Sequence, residues 1–433
     1  MASGGTPRGY IAIFVVVGLV VLALTRVFNP WPQVWNWVTA AGPVAEGASQ
    51  WQIKLSGSPA GVTIAGDAAI VEYRTRVESY GLGAGVKLWQ SDADWASVAG
   101  TGPDAVVVTG KLLTKGYQVL DPRSGAVRRS DNAATAVWAY RDAIVDLACV
   151  KGGECELSAW DPRGSRPLWR VSTGGIGFVL DAANPALPGT QPLPASQVDD
   201  QVAGRPYLPG LMGLADGGHV RIVDTATGKV VQTLTPKPAE RVTVVGGRVI
   251  TVTGTAGDGT CYYSVVATNP GAGTVWQRDG LNLRTADNGS SCKQTRDPAG
   301  GDDVVLGVDP VGREELIAAH DGRRLWYGAK DQDVLAVNDA HAIVRSADRK
   351  TLSGRSFSTG DVTWRRNVND GASAALTPYA AIIANASPRR IIALSPAGGR
   401  VLVDARTEAS VFATGPQGLI AVDGRDMAYL PYK

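Results

Sequence analysis

The clearest indication of the fold is the stretch Val223-Asp224-Thr225-Ala226-Thr227-Gly228-Lys229-Val230. An apolar strand ends at an Asp, whose side chain can bond its own backbone and start a turn, and a Gly four residues later can take the left-handed conformation that ends the turn. The β-branched residues that follow favour a second strand, which must run back antiparallel to the first. The stretch therefore predicts a tight β-hairpin.

The same pattern recurs along the chain, and we count eight copies of it, several with a Trp four residues after the Gly. Most copies are about 38 to 50 residues apart, which is the length of a four-stranded propeller blade. A Trp after the turn is a large plate on a strand face, suited to burial between adjacent sheets. The residues that mark the turns are Gly85, Trp89, Asp121, Gly125, Asp161, Trp169, Asp224, Gly228, Trp276, Gly322, Trp326, Gly360 and Trp364.

The repeats predict an all-β fold, a single closed β-propeller of four-stranded blades over residues 48–433. Residues 49–55 resemble a lone outer strand, and residues 410–432 supply strands without a following outer one. Pairing these two ends would close the ring and remove its open sheet edges. Eight turns and this composite blade make nine, but closed propellers usually have four to eight blades, so we expect eight blades, with seven as the alternative.

One long insertion interrupts the repeats between Trp169 and Val231. The segment 181–210 contains six prolines. Such a composition predicts an inserted loop rather than a strand.

An apolar segment, residues 11–28, precedes the repeats. As a helix it would cover roughly 27 Å, slightly less than a hydrocarbon core of about 30 Å. The rival interpretation is a cleaved signal peptide, but the nearest cleavage site, Val38-Thr39-Ala40, lies well beyond the apolar core, which favours an uncleaved anchor. We expect residues 1–10 to be a cytoplasmic tail, 11–28 a transmembrane helix and 29–47 a linker.

The four cysteines form two sequence-local pairs, Cys149 with Cys155 and Cys261 with Cys292. A Gly-Gly turn between the first two would bring them side by side across a hairpin. Free thiols and a metal site are the alternatives, but neither pair has the Cys-x-x-Cys spacing of a zinc site. We expect two disulfides, which imply an oxidising compartment, and hence a propeller on the extracytoplasmic side of the cytoplasmic membrane.

Charge and histidine placement exclude several function classes. The net charge of +2 gives no reason to expect nucleic acid as a partner. His219, His320 and His341 lie in different blade-like units, without the paired spacing of a zinc site or of a nucleophile and its base. Asp302-Asp303 lacks the ligand spacing of a calcium loop and is interpreted as a pair of solvated turn acids.

The turns resemble the repeats of pyrroloquinoline-quinone (PQQ)-type propellers, whose blades carry an Asp-x-x-(Thr/Asn)-Gly-x-x-x-Trp signature. Residues 224–228 match the turn, and Trp89, Trp326 and Trp364 match the Trp position. The resemblance implies a propeller over nearly all of residues 48–433. It also implies a family that includes quinoprotein dehydrogenases and non-catalytic members such as an outer-membrane assembly lipoprotein. The bias towards Ala, Gly, Arg and Val, with few Lys, is similar to that of a high-GC bacterium, plausibly an actinobacterium.

The dehydrogenases of that family stack the quinone on a disulfide between adjacent cysteines and bind calcium beside it. No two cysteines are adjacent here. We therefore expect no enzyme activity, no cofactor and no metal. The expected function is a non-catalytic protein-binding or scaffold module of the bacterial cell envelope, anchored by a single span, with envelope or membrane proteins as partners. The alternatives are a ligand- or glycan-sensing ectodomain and a PQQ-dependent dehydrogenase.

Overall fold

The computed structural model describes residues 44–45, 47–150, 154–173, 178–179, 206–216, 218–285, 292, 300–386 and 388–433. The predicted cytoplasmic tail, the predicted transmembrane helix, residues 29–43 and 46 of the linker and residues 181–205 of the insertion lie outside the described residues. Within the described part, no helix is long and apolar enough to cross a membrane. The chain divides into two compact units, Met1–Gly42 and Pro43–Lys433, and only the second contains described residues.

In this second unit, 36 strands of the described residues form nine four-stranded antiparallel sheets, which we number as blades in chain order. Blades 1 to 4 contain β2 (Gly61–Ala65), β3 (Ala68–Glu72), β4 (Val77–Gly81), β5 (Lys87–Ser91); β6 (Trp95–Ala99), β7 (Val106–Gly110), β8 (Tyr117–Leu120), β9 (Val127–Asp131); β10 (Ala134–Ala139), β11 (Ile144–Cys149), β12 (Cys155–Trp160), β13 (Pro167–Thr173); and β14 (Phe178–Val179), β15 (Leu211–Asp216), β16 (His219–Asp224), β17 (Lys229–Leu234).

Blades 5 to 8 contain β18 (Glu240–Val245), β19 (Arg248–Gly257), β20 (Thr260–Thr268), β21 (Thr274–Asp279); β22 (Asn282–Leu283), β23 (Val304–Val308), β24 (Glu314–Ala318), β25 (Arg324–Tyr327); β26 (Asp333–Val337), β27 (His341–Arg345), β28 (Thr351–Ser356), β29 (Val362–Asn367); and β30 (Ser373–Leu376), β31 (Ala381–Ala386), β32 (Arg389–Leu394), β33 (Val401–Arg406). Blade 9 contains β34 (Ser410–Thr414), β35 (Gly418–Asp423), β36 (Asp426–Pro431) and, as its outer strand, β1 (Trp51–Lys54). A short 3₁₀ helix, Gly102–Asp104, joins β6 to β7.

The prediction of eight blades, with seven as the alternative, is wrong, because the described residues form nine. No copy of the turn is degenerate: each of the eight predicted turns joins the third and fourth strands of its own sheet. The usual limit of eight blades is a frequency among known rings rather than a physical barrier, since one more sheet changes the angle between neighbours only slightly. The literal count of eight turns and one composite blade was therefore correct.

Strands from both ends of the chain close the ring. The outer strand β1 pairs antiparallel with β36, with Trp51 opposite Tyr429 and Lys54 opposite Asp426. The backbone N–H of Leu55 extends this ladder by donating to the carbonyl of Arg425 at 2.7 Å. Because the last blade needs a strand from the beginning of the chain, the ring cannot open without breaking this ladder.

The core is divided among the seams between blades. The buried apolar residues of the described chain fall into nine clusters, and each cluster joins two neighbouring blades. At several seams the first strands of neighbouring blades contact each other, as β2 does with β6 and β26 with β30, which places the first strands at the centre of the ring. Nine clusters for nine blades mean that every blade packs on two neighbours, as a closed propeller requires.

The two ends of the ring differ in their connections. Consecutive antiparallel strands place the first–second and third–fourth turns of every blade at one end, which we call the turn end. The second–third connections and the links between blades lie at the other end, the loop end. Both predicted disulfides are present: Cys149 and Cys155 lie opposite each other where β11 and β12 meet at the loop end, and Cys261 of β20 is bonded to Cys292.

A groove at the seam between blades 6 and 7

The predicted turn residues meet across the seams rather than within one blade. A methyl group placed on Gly125 of blade 2 would lie 2.8 Å from Cγ of Trp89 in blade 1, and one on Gly322 of blade 6 would lie 2.6 Å from Cγ of Trp276 in blade 5. Each of these Trp residues therefore packs on the turn Gly of the next blade. The other pairs that meet in this way are Trp51 with Gly85, Trp169 with Gly228, and Trp364 with Gly399.

Hydrogen bonds strengthen this contact. The indole N–H of Trp89 donates to the carbonyl of Pro122 at 2.8 Å, and that of Trp276 donates to the carbonyl of Ala319 at 2.7 Å. Both carbonyls belong to the third–fourth turn of the following blade. A buried indole N–H usually needs a partner, and here the neighbouring turn provides it, so the Trp closes the seam at the turn end.

A bulge aims these side chains at the seam. In blades 1 to 8 of the described chain, the ladder between the third and fourth strands shifts register by one residue near the start of the fourth strand. Such a bulge increases the local twist and redirects the next side chain. The residues that follow the bulge are Trp89, Arg129, Trp169, Gln232, Trp276, Trp326, Trp364 and Val403.

The seam between blades 6 and 7 has both motif residues but not the contact. A methyl group placed on Gly360 of blade 7 would meet no atom within 4 Å, although Trp326 of blade 6 occupies the expected position. The Trp326 ring lies instead beside Gly328 of its own blade, where a methyl group would be 2.8 Å from Cη2. The seam consequently remains open at the turn end.

An open groove of about 650 Å³ occupies this place. Apolar side chains of the seam cluster form part of its wall, among them Val304, Leu325 and Phe357. Five turns of blades 6, 7 and 8 contribute residues to the groove, and the four turns in blades 6 and 7 supply its polar side chains. The residues that line the groove at these turns are Asp303, His320, Arg323, Asp339, His341, Ser356, Ser358, Thr359 and Ala397.

His320 is the most constrained polar group of the groove. Its Nδ1 lies 2.5 Å from Oδ2 of Asp303, and its Nε2 lies 3.3 Å from Oδ2 of Asp321. The other oxygen of Asp303 accepts the backbone N–H of His320 at 3.1 Å. Both ring nitrogens of His320 therefore face a carboxylate, and Asp303 contacts this residue through both of its carboxylate oxygens.

Neighbouring blades hold this turn in place. Arg248 of blade 5 donates from Nε to the carbonyl of His320 at 2.8 Å. The backbone N–H of Asp303 donates to Oδ1 of Asp339 in blade 7 at 2.7 Å. The backbone carbonyl of Asp303 accepts the N–H of Ala319 at 2.7 Å. Contacts from three blades thus fix the carboxylate and the imidazole, so the groove presents a preorganised polar surface.

The second His of the groove is of a different kind. Burial lowers the pKa of His341 and so favours its neutral form. Its backbone N–H donates to Oδ1 of Asn338 at 2.8 Å, which fixes the first–second turn of blade 7. Opposite, the hydroxyls of Ser356 and Ser358 lie 2.9 Å apart. The groove therefore combines a His paired with carboxylates, a neutral His and two hydroxyls.

A smaller cavity of about 200 Å³ lies at the same end of the ring, between blades 4, 5 and 6. Its wall includes residues 207–210, the last part of the proline-rich insertion, and Leu211 at the start of β15. The N–H of Leu208 donates to Oδ1 of Asp142 at 2.7 Å, and the N–H of Arg141 donates to the carbonyl of Pro206 at 2.9 Å. The described end of the insertion is thus attached to blade 3 and borders the turn end.

Seam 2–3 departs from the pattern in another way. Arg129 takes the Trp position of blade 2, and its guanidinium lies 4.0 Å from the ring centre of Trp160 in blade 3. The hydroxyl of Tyr117 donates to Oδ2 of Asp146 at 2.6 Å, and burial raises the pKa of this carboxyl. Tyr117 and Trp160 belong to the apolar cluster of this seam, so the network contributes to its packing.

The predicted turn acids act locally. Asp121, Asp161 and Asp224 each accept a backbone N–H two residues further on, at 3.1, 2.9 and 2.8 Å. The turns resemble one another because the sequence starts each of them in the same way. Within the described residues, no group of three or more His, Cys, Asp or Glu side chains is arranged to hold a metal ion.

The groove itself was missed from the sequence. Asp303 and His320 were interpreted separately, as a solvated turn acid and as a turn residue, because they are 17 positions apart. The hairpin of β23 and β24 places the start of one strand beside the end of the other and so brings the two together. The signal available in the sequence is that Asp303 directly precedes one apolar strand and His320 closely follows the next.

The closed ring of nine sheets defines a β-propeller. No family model matches the chain, and no curated protein matches it. Similar solved structures include BamB from Moraxella catarrhalis, with 17% identity, a TM-score of 0.36, and 89% of this chain and 97% of that chain covered.

A computationally designed protein, Ika8, is 15% identical, with a TM-score of 0.39 and coverage of 79% of this chain and 98% of that chain. Sqt1 from Saccharomyces cerevisiae is 7% identical, with a TM-score of 0.41 and coverage of 89% and 98%. At identities and TM-scores this low, no argument about function rests on these likenesses.

Proposed function

We propose that this propeller is a non-catalytic binding module of the bacterial cell envelope, and that the groove at seam 6–7 takes a segment of a protein partner. The observation that carries the proposal is the open groove itself, with an apolar wall and a fixed polar edge, at a seam where the motif would otherwise close the surface. Pockets of this composition bury apolar groups and orient them with a few polar contacts.

The pairing of His320 supports binding rather than catalysis. A general base needs a ring nitrogen with a free lone pair within reach of the nucleophile. Here Asp303 lies 2.5 Å from one ring nitrogen of His320 and Asp321 lies 3.3 Å from the other, so both nitrogens already face a carboxylate. Such a ring can donate to a carbonyl or carboxylate only after a partner replaces one of the two carboxylates, which suits recognition of a peptide.

The location outside the cytoplasmic membrane belongs to this proposal as well. Its support is the apolar segment 11–28 and the two disulfides, which persist in oxidising compartments. The alternatives receive less support. The Trp residues of the described chain are buried or half-buried, so they offer no exposed stacking platform for a glycan. For a quinoprotein dehydrogenase, this chain lacks the adjacent cysteines that the family resemblance implies.

Two exposed alanines provide the test. Ala397 lines the groove, and Ala226 occupies the same position in the third–fourth turn of blade 4, away from it. A photo-crosslinking amino acid is placed at each position of the full chain, and the cells are irradiated. We expect a protein adduct from position 397 that position 226 does not give.

The matched pair Ala397→Arg and Ala226→Arg then tests whether the groove is needed. The first change places a long charged side chain at the groove, and the second places the same side chain on an equivalent turn. We expect the interaction to be lost in the first variant and retained in the second, at equal thermal stability. Equal retention in both variants, or identical adducts from both positions, would contradict the proposal.

A further inference from the structure

The loop between β7 and β8 of blade 2 carries two leucines that contact almost nothing. Leu112 is 74% exposed and Leu113 is 98% exposed, in the sequence Lys111-Leu112-Leu113-Thr114-Lys115. Single exposed apolar residues are normal on proteins, but adjacent ones at a projecting tip indicate an interaction site. Hairpin tips are usually formed by Gly, Asn, Asp, Ser or Pro, so turn formation does not account for the leucines.

The base of this loop is fixed while its tip projects. The N–H of Leu112 donates to Oδ2 of Asp94 at 3.0 Å, and the N–H of Gly116 donates to the carbonyl of Ala134 at 2.8 Å. A methyl group on Gly116 would lie 2.5 Å from the carbonyl oxygen of Asp131, so the chain passes very close to its neighbour here. The leucines are thus held outward by a rigid base.

The charges beside the leucines indicate the kind of surface that the loop fits. Lys111 and Lys115 flank the pair and are both exposed. The carboxylate of Asp94, which contacts the loop, already accepts the backbone N–H of Leu112. Apolar side chains between lysines match the boundary of an anionic bilayer, where leucines enter the acyl region and ammonium groups pair with headgroup phosphates.

Other loop-end connections present apolar residues in the same direction. Val150 of blade 3, Tyr262 of blade 5 and Val311 of blade 6 are exposed and lie at or beside second–third connections. Val44, where the described chain begins, also lies at the loop end, because its carbonyl accepts the hydroxyl of Thr407 just after β33. The groove at seam 6–7 opens at the opposite end.

We propose that Leu112 and Leu113 dock the loop end of the propeller onto an anionic lipid surface, with Lys111 and Lys115 pairing with its headgroups. This inference goes beyond the proposed function and shares with it only the location at a membrane. A propeller that lies on its loop end keeps the turn end, and hence the groove, accessible to a protein partner.

The test measures how deeply the loop enters lipid. All four cysteines of the full chain are in disulfides, so Leu113→Cys can be labelled selectively with a nitroxide. Ala84→Cys, in an exposed turn at the opposite end of blade 1, is the matched control. Both proteins are reconstituted into vesicles of phosphatidylcholine with phosphatidylglycerol. Spin relaxation by lipid-soluble oxygen and by a water-soluble nickel chelate is then compared.

We expect oxygen to relax the spin label at position 113 more strongly than the nickel chelate does. At position 84 we expect the nickel chelate to have the stronger effect. Adding Lys111→Gln and Lys115→Gln to the labelled protein should lower the oxygen effect at position 113 several-fold in the anionic vesicles. A label at position 113 that is as accessible to nickel as the control would overturn the proposal. The proposal would also be overturned if the label at position 113 remained accessible to the nickel chelate in pure lipid vesicles and became shielded only when membrane proteins were added. Photo-crosslinking from position 397 in cells uses separate variants, so it reports on the groove independently of the lipid measurement.

Discussion

Two neighbouring seams are built from the same motif and end differently. At seam 5–6, Trp276 packs on Gly322 and donates to the carbonyl of Ala319 at 2.7 Å. At seam 6–7, Trp326 lies beside Gly328 of its own blade and leaves Gly360 uncovered. Both Trp side chains are 8% exposed, so burial of the Trp is achieved in either way. Only the contact with the next turn closes the seam.

The difference follows from one small residue. Two positions after Trp326 the chain has Gly328, whereas the other seam tryptophans that follow a bulge have Ser91, Val171, Arg278 and Arg366 at that position. A Cβ at Gly328 would collide with the Trp326 ring at 2.8 Å. The missing side chain therefore gives the ring room to lie back on its own strand. The groove therefore results from an altered placement of Trp326, the Trp of the motif, and not from loss of that Trp.

The largest effect is expected from removing a Trp that closes a seam. Trp276→Ala should lower the free energy of unfolding by about 4 kcal/mol, because it leaves a cavity in the seam cluster and removes the indole hydrogen bond to Ala319. Chemical denaturation followed by circular dichroism measures this. Loss of less than about 1 kcal/mol would mean that the seam closes without the Trp.

The second prediction compares two turn glycines that share a backbone conformation. Gly125 has φ 69° and Gly360 has φ 75°, so an Ala at either position is strained by about 1 kcal/mol. Only at Gly125 does the new methyl group also meet a Trp, which adds about 1 to 3 kcal/mol. We expect Gly125→Ala to be clearly less stable than Gly360→Ala. Equal losses would show that Gly360 is as crowded as Gly125.

A third prediction uses buried carboxyls at two other seams. Burial raises the pKa of Glu78, but hydrogen bonds from Lys87, Tyr80 and Arg76 outweigh this and lower it to about 2. This carboxyl stabilises the fold above its unfolded pKa of about 4.3, and the contribution disappears as the pH falls towards 2. Between about pH 5 and pH 2, the Glu78→Gln variant should therefore lose about 2 kcal/mol less stability than the unchanged protein does.

Asp146 supplies the control with the opposite sign. Its pKa is raised by burial, so the folded state holds the proton longer than the unfolded state does. Its effect on stability is most favourable below the unfolded pKa of about 3.9 and declines as the pH rises through the raised value. Asp146→Asn should remove this decline. If the free energy of unfolding changed with pH in the same way in both variants, the opposite pKa shifts of Glu78 and Asp146 would be contradicted.

A much smaller change in stability than for Trp276→Ala is expected from Gly328→Ala, which tests the cause of the groove. The backbone of Gly328 is not among the positive-φ residues, so an Ala is tolerated there, but its methyl group must displace Trp326. We expect a change within about 1.5 kcal/mol. We also expect a smaller groove in the crystal structure and loss of the adduct at position 397. An unchanged Trp326 side chain would refute this cause.

The turn sequences suffice to predict much of the fold. Asp224 and Gly228 start and end their hairpin by local hydrogen bonding and positive φ, and neither needs information from distant residues. The blade count failed only where a frequency among known propellers replaced the count of turns. The two disulfides were predictable because each joins cysteines that are close in sequence.

The groove could not be predicted in this way. Trp326 and Gly360 match the motif as well as Trp276 and Gly322 do, and their separation depends on the room left by Gly328. The pairing of Asp303 with His320 depends on the register of a hairpin, which the sequence pattern does not fix to one residue. Both features arise from packing between elements rather than from local sequence.

The central claim is that contact between a Trp and the following turn Gly closes a seam, and that seam 6–7 lacks this contact. A pair of double-mutant cycles measures it directly, with Trp276→Ala and Gly322→Ala in one cycle and Trp326→Ala and Gly360→Ala in the other. We expect a coupling energy of about 1 to 2 kcal/mol at seam 5–6 and one within about 0.5 kcal/mol of zero at seam 6–7. Equal coupling energies at the two seams would contradict it.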